Sequence, residues 1–217
     1  MKLIRNPGKV NLMPRTRENA LKSRYVFLLM TMIGFSGCFR DSKPDQFYML
    51  QAVERAKAPG AGAQGPLVGL GPIRIPAYLD RPQIVTAASG QEYHLSESHR
   101  WAERLDDNIA RVSAQNLAEL IPSDRIVMHP WPREPKPDAQ LAMNIQEMHV
   151  DPSGQVRMSA LWSLRLAGEQ VYNHRFSCQQ PASLTDYSRM IEVESECLAR
   201  LNREMAAAIQ SVRLSTH

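Results

Sequence analysis

Val156, Met158, Ala160, Trp162, Leu164 and Leu166 alternate with mostly polar neighbours. Successive side chains of a strand point to opposite faces, so this period of two predicts one buried face and one wet face. A helix of the same residues would scatter its apolar side chains around its whole circumference. The chain therefore builds a sheet with a packed side, and other elements must cover that side. Neighbouring segments extend the sheet. Leu141, Met143 and Ile145 are apolar at odd positions while Met148 and Val150 are even, a phase change that predicts a β-bulge near Gln146 and Glu147. Asp151-Pro152-Ser153-Gly154 turns the chain between these two strands. Beyond Gly168, a strand from Val171 to Cys178 sets Tyr172, His174, Phe176 and Cys178 on one side. Upstream, Ser89-Gly90 reads as a hairpin turn between Gln83–Ala88 and Gln91–Leu95. Phe47–Leu50, Leu67–Ile75 and Arg125–His129 read as further strands.

Two helices supply the cover. From Leu105 to Ile121 the apolar residues Leu105, Ile109, Val112, Leu117 and Leu120 fall on one face, and Pro122 ends the run. Asp106 and Asp107 suit the positive end of that helix. A longer helix from about Asp186 to Arg213 carries Met190, Ile191, Cys197, Leu198, Leu201, Met205, Ile209 and Val212 as its stripe. The expected architecture is α+β: a mostly antiparallel sheet with two long helices packed on one face, in a single domain over residues 47–214.

The first segment has another purpose. Tyr25 to Phe35 is free of charge, follows a basic stretch, and leads into Phe35-Ser36-Gly37-Cys38. As a helix it spans about 16 Å against a hydrocarbon core of roughly 30 Å, too short for a comfortable membrane span. A basic n-region, a short apolar h-region and a small-residue exit describe an export signal, here residues 1–37. The exit resembles the bacterial lipobox. Cys38 is then the lipid-attachment residue, its thiol carrying diacylglycerol and its freed amino group an N-acyl chain such as palmitate. Each buried CH₂ contributes about 0.8 kcal/mol, so several chains hold a protein on a bilayer essentially permanently. Residues 38–46 form a short polar tether. Phe39, where Asp would favour inner-membrane retention, points to the outer membrane.

This reading changes the meaning of the net charge of +4. Residues 1–37 hold seven basic residues and one acidic residue, so the remaining 19 basic and 21 acidic residues leave the body at −2. A mildly acidic body excludes a nucleic-acid binder.

No catalytic or metal site emerges. His94 and His99 have neither strand nor helical ligand spacing, and HExxH, CxxC and Gly-x-Ser-x-Gly are absent. Gly60-Ala61-Gly62-Ala63-Gln64-Gly65 matches G-x-G-x-x-G, but a Pro-containing loop precedes it and Pro66 follows, so the strand-to-helix context of a phosphate cradle is missing. Glu192, Glu194 and Glu196 fan out around a helix and do not converge. Cys178 and Cys197 lie on a sheet face and a helix face expected to meet. They pair as a disulfide in an oxidising compartment or remain two buried thiols.

Read together and in order, Phe47-Tyr48-Met49-Leu50, the run from Ile75 to Val85 (Ile-Pro-Ala-Tyr-Leu-Asp-Arg-Pro-Gln-Ile-Val), Arg100-Trp101-Ala102-Glu103 and Leu161-Trp162-Ser163-Leu164 resemble the PqiC (YmbA) family of transport-associated lipoproteins. That family commonly has Pro where this chain has Arg104, and the two cysteines lie outside its pattern. The resemblance implies a non-enzymatic auxiliary lipoprotein of an MCE-type system moving lipid between membranes of Gram-negative bacteria and supporting membrane integrity. It further implies anchoring on the periplasmic face of the outer membrane, docking to a periplasmic MCE-domain protein, and assembly of copies into a ring. It calls for no cofactor beyond the lipid on Cys38. Pro76, Tyr78, Leu79, Arg81 and Pro82 form the expected contact surface; the alternative is that Tyr78 and Leu79 close one end of the core and Asp80 pairs with Arg81. A second functional class is a lipid carrier or chaperone holding an acyl chain, which would need an open apolar cavity.

Overall fold

The computed structural model describes residues 44–55, 65–167 and 169–215. The expected signal segment, the lipid-attachment residue Cys38 and most of the Gly60–Gly65 run lie outside the described residues.

Among the described residues the eight strands are β1 (Gln46–Tyr48), β2 (Val68–Arg74), β3 (Gln83–Ala87), β4 (Tyr93–Trp101), β5 (Ile126–Met128), β6 (Ala139–Val150), β7 (Gln155–Leu166) and β8 (Glu169–Pro181). The helices among them are α1 (Leu105–Leu120) and α2 (Tyr187–Ser215). Val156, Met158, Ala160, Trp162 and Leu164 of β7 are all buried, as their alternation requires. β7 pairs antiparallel with β6 on one side and with β8 on the other. Along β6 the register slips between Ile145 and Glu147, so Gln146 is the extra residue of a bulge. The slip lets Ile145 and Met148 both point into the core, and it turns Glu147 and His149 to the opposite face.

The other edge of β6 is shared. Its first half pairs with β2 and its last residue, Val150, with Thr86 of β3. One branch continues from β2 to β5, the other from β3 through β4 to β1. The sheet is therefore mixed, which corrects the mostly antiparallel expectation: β1 with β4, β2 with β5, β2 with β6 and β3 with β6 all run parallel. Local turns signal hairpins, and the three antiparallel pairs all join consecutive strands. Parallel partners need a crossover, so Val68 meets Ala139 and Gln46 meets His99 across long stretches of chain that no local pattern links.

Both helices pack against the sheet and each other, α1 chiefly over β2 and β5 and α2 over β6, β7 and β8. Burial of each large apolar side chain in this layer contributes about 2 kcal/mol. Among the described residues every core residue lies between Leu50 and Ile209, so residues 43–217 carry a core of their own. No described helix is long and apolar enough to cross a membrane.

Candidate partner-contact surface

The chain from Ile75 to Pro82 leaves β2 and returns to β3. Prolines fix the backbone at both ends, and hydrogen bonds close the loop. Leu79 N–H donates to the Pro76 carbonyl at 2.9 Å, Arg81 N–H to the Leu79 carbonyl at 2.8 Å, and Trp101 N–H to the Pro82 carbonyl at 2.7 Å. The last bond ties the loop to β4.

Tyr78 anchors the loop to the bulged part of β6. Its hydroxyl accepts the Met148 N–H at 3.3 Å and lies 3.3 Å from His149 Nδ1. With the hydroxyl proton given to Nδ1, the imidazole carries its proton on Nε2, which faces Glu147 Oε1 at 3.5 Å. Tyr93 completes the cluster, its ring centroid 5.0 Å from Tyr78 and 5.3 Å from the edge-on His149. Burial pushes the Tyr78 hydroxyl up to about 12 and holds His149 below its ordinary value, the latter opposed by Glu147. Phenol and imidazole are thus both neutral near pH 7. Glu147 in turn pairs with Arg157 at 3.2 Å. The cluster holds a loop in place.

The two roles read from the sequence are divided within this one loop. Leu79 is 3% exposed and belongs to the core. Pro76, Tyr78 and Arg81 are half-buried, while Ala77, Asp80 and Pro82 face outward. Asp80 lies 3.7 Å from the guanidinium of Arg104, and Arg81 Nη2 reaches the Ala77 carbonyl at 3.5 Å. Arg104 caps α1 through its backbone only, and its side chain binds Asp106 at 2.8 Å. Where Pro would stiffen the helix start, Arg104 braces the loop against the helix instead. The Arg104 hydrogen bond holds the Asp106 carboxyl below the usual carboxylate range.

The remaining sequence-predicted residues are spread over the domain. Cys178 on β8 and Cys197 on α2 are joined by a disulfide, their Cα atoms 5.7 Å apart. His99 stacks on Tyr187 with centroids 3.8 Å apart, whereas His94 is exposed on β4. The Asp151 carboxylate accepts N–H bonds from Ser153 and Gln155 as an ordinary turn former. Among the described residues no group of three or more His, Cys, Asp or Glu could hold a metal ion.

Sequence reasoning missed a polar clamp between the helices. Asn108, Asn116, Ser195 and Asn202 are buried. Asn108 Oδ1 accepts the Leu50 N–H at 2.7 Å, Ser195 Oγ the Gln51 N–H at 3.1 Å, and Asn116 Oδ1 the Val53 N–H at 3.0 Å and the Glu54 N–H at 3.2 Å. These side chains hold the irregular segment that follows β1. Their signal was available: Asn108 and Asn116 sit at helical spacing within the apolar stripe of α1, where a polar side chain needs a partner.

Residues 48–206 match the family model of the ABC-type transport auxiliary lipoprotein component. The chain belongs to this family. Two solved structures share its fold. One, described only as an uncharacterized protein, has a TM-score of 0.63 at 20% identity over 77% of this chain and 99% of that one. The other, protein XCC0632 from Xanthomonas campestris, has a TM-score of 0.65 at 14% identity over 79% of this chain and 99% of that one. A PelC dodecamer from Paraburkholderia phytofirmans aligns at a TM-score of 0.41 and 12% identity, over 69% of this chain and 92% of that one. None of the curated proteins matches this chain. Membership makes the protein an auxiliary transport lipoprotein component, a family that is not one of enzymes.

Proposed function

We propose that the protein is anchored by acyl chains on Cys38 to the periplasmic face of the outer membrane and docks there with a periplasmic MCE-domain protein. In that position it supports intermembrane lipid transport, and with it membrane integrity, without catalysing a reaction. Several copies assemble around the partner. The observation that carries the reading is the family match over residues 48–206, joined to a loop whose outward residues are held rigid from below by Tyr78 and Leu79. A preordered loop loses little entropy on binding, which favours a protein contact. The carrier alternative finds less support, because the inner residues Met158, Ala160, Leu164, Leu198, Leu201 and Met205 are all at most 1% exposed and fill the layer between sheet and helices.

Site-specific photo-crosslinkers at Asp80 and Pro82 in the full lipoprotein, expressed with its partner in a Gram-negative host, test the proposal. An adduct with the MCE-domain protein is expected at both positions and not at Arg189 on α2. Adducts at Arg189 alone, or none with that protein, would remove the loop as the contact.

A further inference from the structure

The proline-rich connector between β5 and β6 folds back onto the sheet. Trp131 and Pro137 lie over Gly69 of β2, where an added Cβ would stand 2.8 Å from Pro137 Cγ and 3.0 Å from Trp131 Cη2. The absence of a side chain at Gly69 is what lets the connector seat. His129 meets the Trp131 ring edge-on at 5.4 Å. The connector thereby forms one wall of a groove of about 740 Å³, and Gln140 of β6 and Arg165 of β7 form the other. A second recess of about 370 Å³ shares Gln140 and Arg165 and adds Arg74, over a floor that includes Ala142 and Ser163.

The charge in this groove is unbalanced. Arg133, Lys136 and Arg165 line it, against Glu134. Several arginines elsewhere are matched by carboxylates, Arg100 with Asp45 at 3.0 Å, Arg157 with Glu147 at 3.2 Å and Arg203 with Glu54 at 2.6 Å, while Arg81, Arg125 and Arg175 bind carbonyl oxygens singly rather than as a cluster. Among the described residues, none of the three groove cations, nor Arg74, has an ion pair with a carboxylate. Three cations converge on one recess in a body that is acidic overall, and guanidinium forks match phosphate oxygens. The connector wall is amphipathic: the half-buried Trp131 indole, with Pro132 and Pro137, stands beside the cations. An indole beside cations suits the boundary between headgroup and acyl chain.

We propose that this groove binds the phosphate of an anionic glycerophospholipid at a membrane surface. The inference stands apart from docking through the Ile75–Pro82 loop. The volume is within the range of small-molecule sites and accommodates a headgroup. A free phosphate would use the cations but not the indole and prolines beside them, and an acidic protein surface would need no recess.

The test is co-sedimentation of the domain spanning residues 43–217 with vesicles of phosphatidylcholine alone or with phosphatidylglycerol added. Binding to the phosphatidylglycerol vesicles is expected, weakening with salt. Each cation near an anionic surface contributes about fivefold, so a Lys136→Glu, Arg165→Glu variant should lose on the order of tenfold or more. Both side chains are exposed, and an unchanged melting temperature verifies the fold. Gly69→Ala, which displaces Trp131 without altering charge, should weaken binding as well. Equal affinity for both vesicle types, or undiminished binding by the folded double variant, would overturn the proposal. Competition by inorganic phosphate without any vesicle preference would also overturn it, as would binding only to an acidic protein.

Discussion

Asn116 Nδ2 of α1 donates to Asn202 Oδ1 of α2 at 3.0 Å, while the Asn116 carbonyl oxygen receives the backbone of Val53 and Glu54. One side chain thus joins both helices to the irregular segment that follows β1. Replacing Asn116 by Ala leaves two backbone donors and Asn202 unpaired, which costs on the order of 2–4 kcal/mol. Urea denaturation should show the loss, with the exchange of the Val53 and Glu54 amides raised by at least as much. A loss below about 0.5 kcal/mol would mean that water replaces the clamp.

Glu194 is 2% exposed on α2, and its Oε2 has no hydrogen-bond partner. Burial pushes its carboxyl from 4.5 up to about 8. In the folded protein it keeps its proton through neutral pH, whereas in the unfolded chain it releases it above 4.5. Stability from this group is therefore complete below its unfolded value and declines as pH rises, until the folded value near 8 is passed. Glu194→Gln removes this dependence. Thermal melts should show the variant gaining on the parent by a few kcal/mol as pH rises from about 5 to about 8.5. Parallel curves for the two proteins would show that Glu194 ionises freely.

His149 works in the opposite direction. Its buried imidazole has a value below the ordinary 6.5, so its contribution is present above that pH and is lost as acid protonates it through the folded value. His149→Gln should reduce the loss of stability on the acid side without changing the alkaline arm set by Glu194. An unchanged acid arm would place the ring in contact with water.

The Cys178–Cys197 bridge closes a loop with a sequence separation of 19. Closing a loop of that size contributes about 3 kcal/mol. Cys197→Ser should lower the melting temperature of the oxidised domain, and reductant should lower that of the parent but not of the variant. Two free thiols in the unreduced mature protein would contradict the assignment.

Much of the inner face was legible in advance, because it depends on local periodicity. The alternation in β7 and the phase change around Gln146 both describe side chains that must face one core. The mixed sheet was not legible, since the parallel partners Val68 and Ala139 carry no mutual signal. For the Ile75–Pro82 loop, the sequence left open whether Tyr78 and Leu79 turn inward, and it carried no sign of the brace from Arg104 to Asp80. Those depend on where the bulge sends His149 and on which cation reaches Asp80 through space. Glu192, Glu194 and Glu196 do fan out around α2, with the outer two exposed and Glu194 buried; three alternating glutamates look alike in sequence, and only the placement of α2 decides which one turns inward.

Docking of the Ile75–Pro82 loop to an MCE-domain protein is tested most directly by titration calorimetry with the domain spanning residues 43–217. The account predicts saturable binding that Asp80→Arg combined with Pro82→Glu weakens at least about tenfold at an unchanged melting temperature. Tyr78→Ala, which releases the loop from Met148 and His149, should weaken binding through added disorder. No binding by the folded domain, or affinity indifferent to Asp80 and Pro82, would contradict the account.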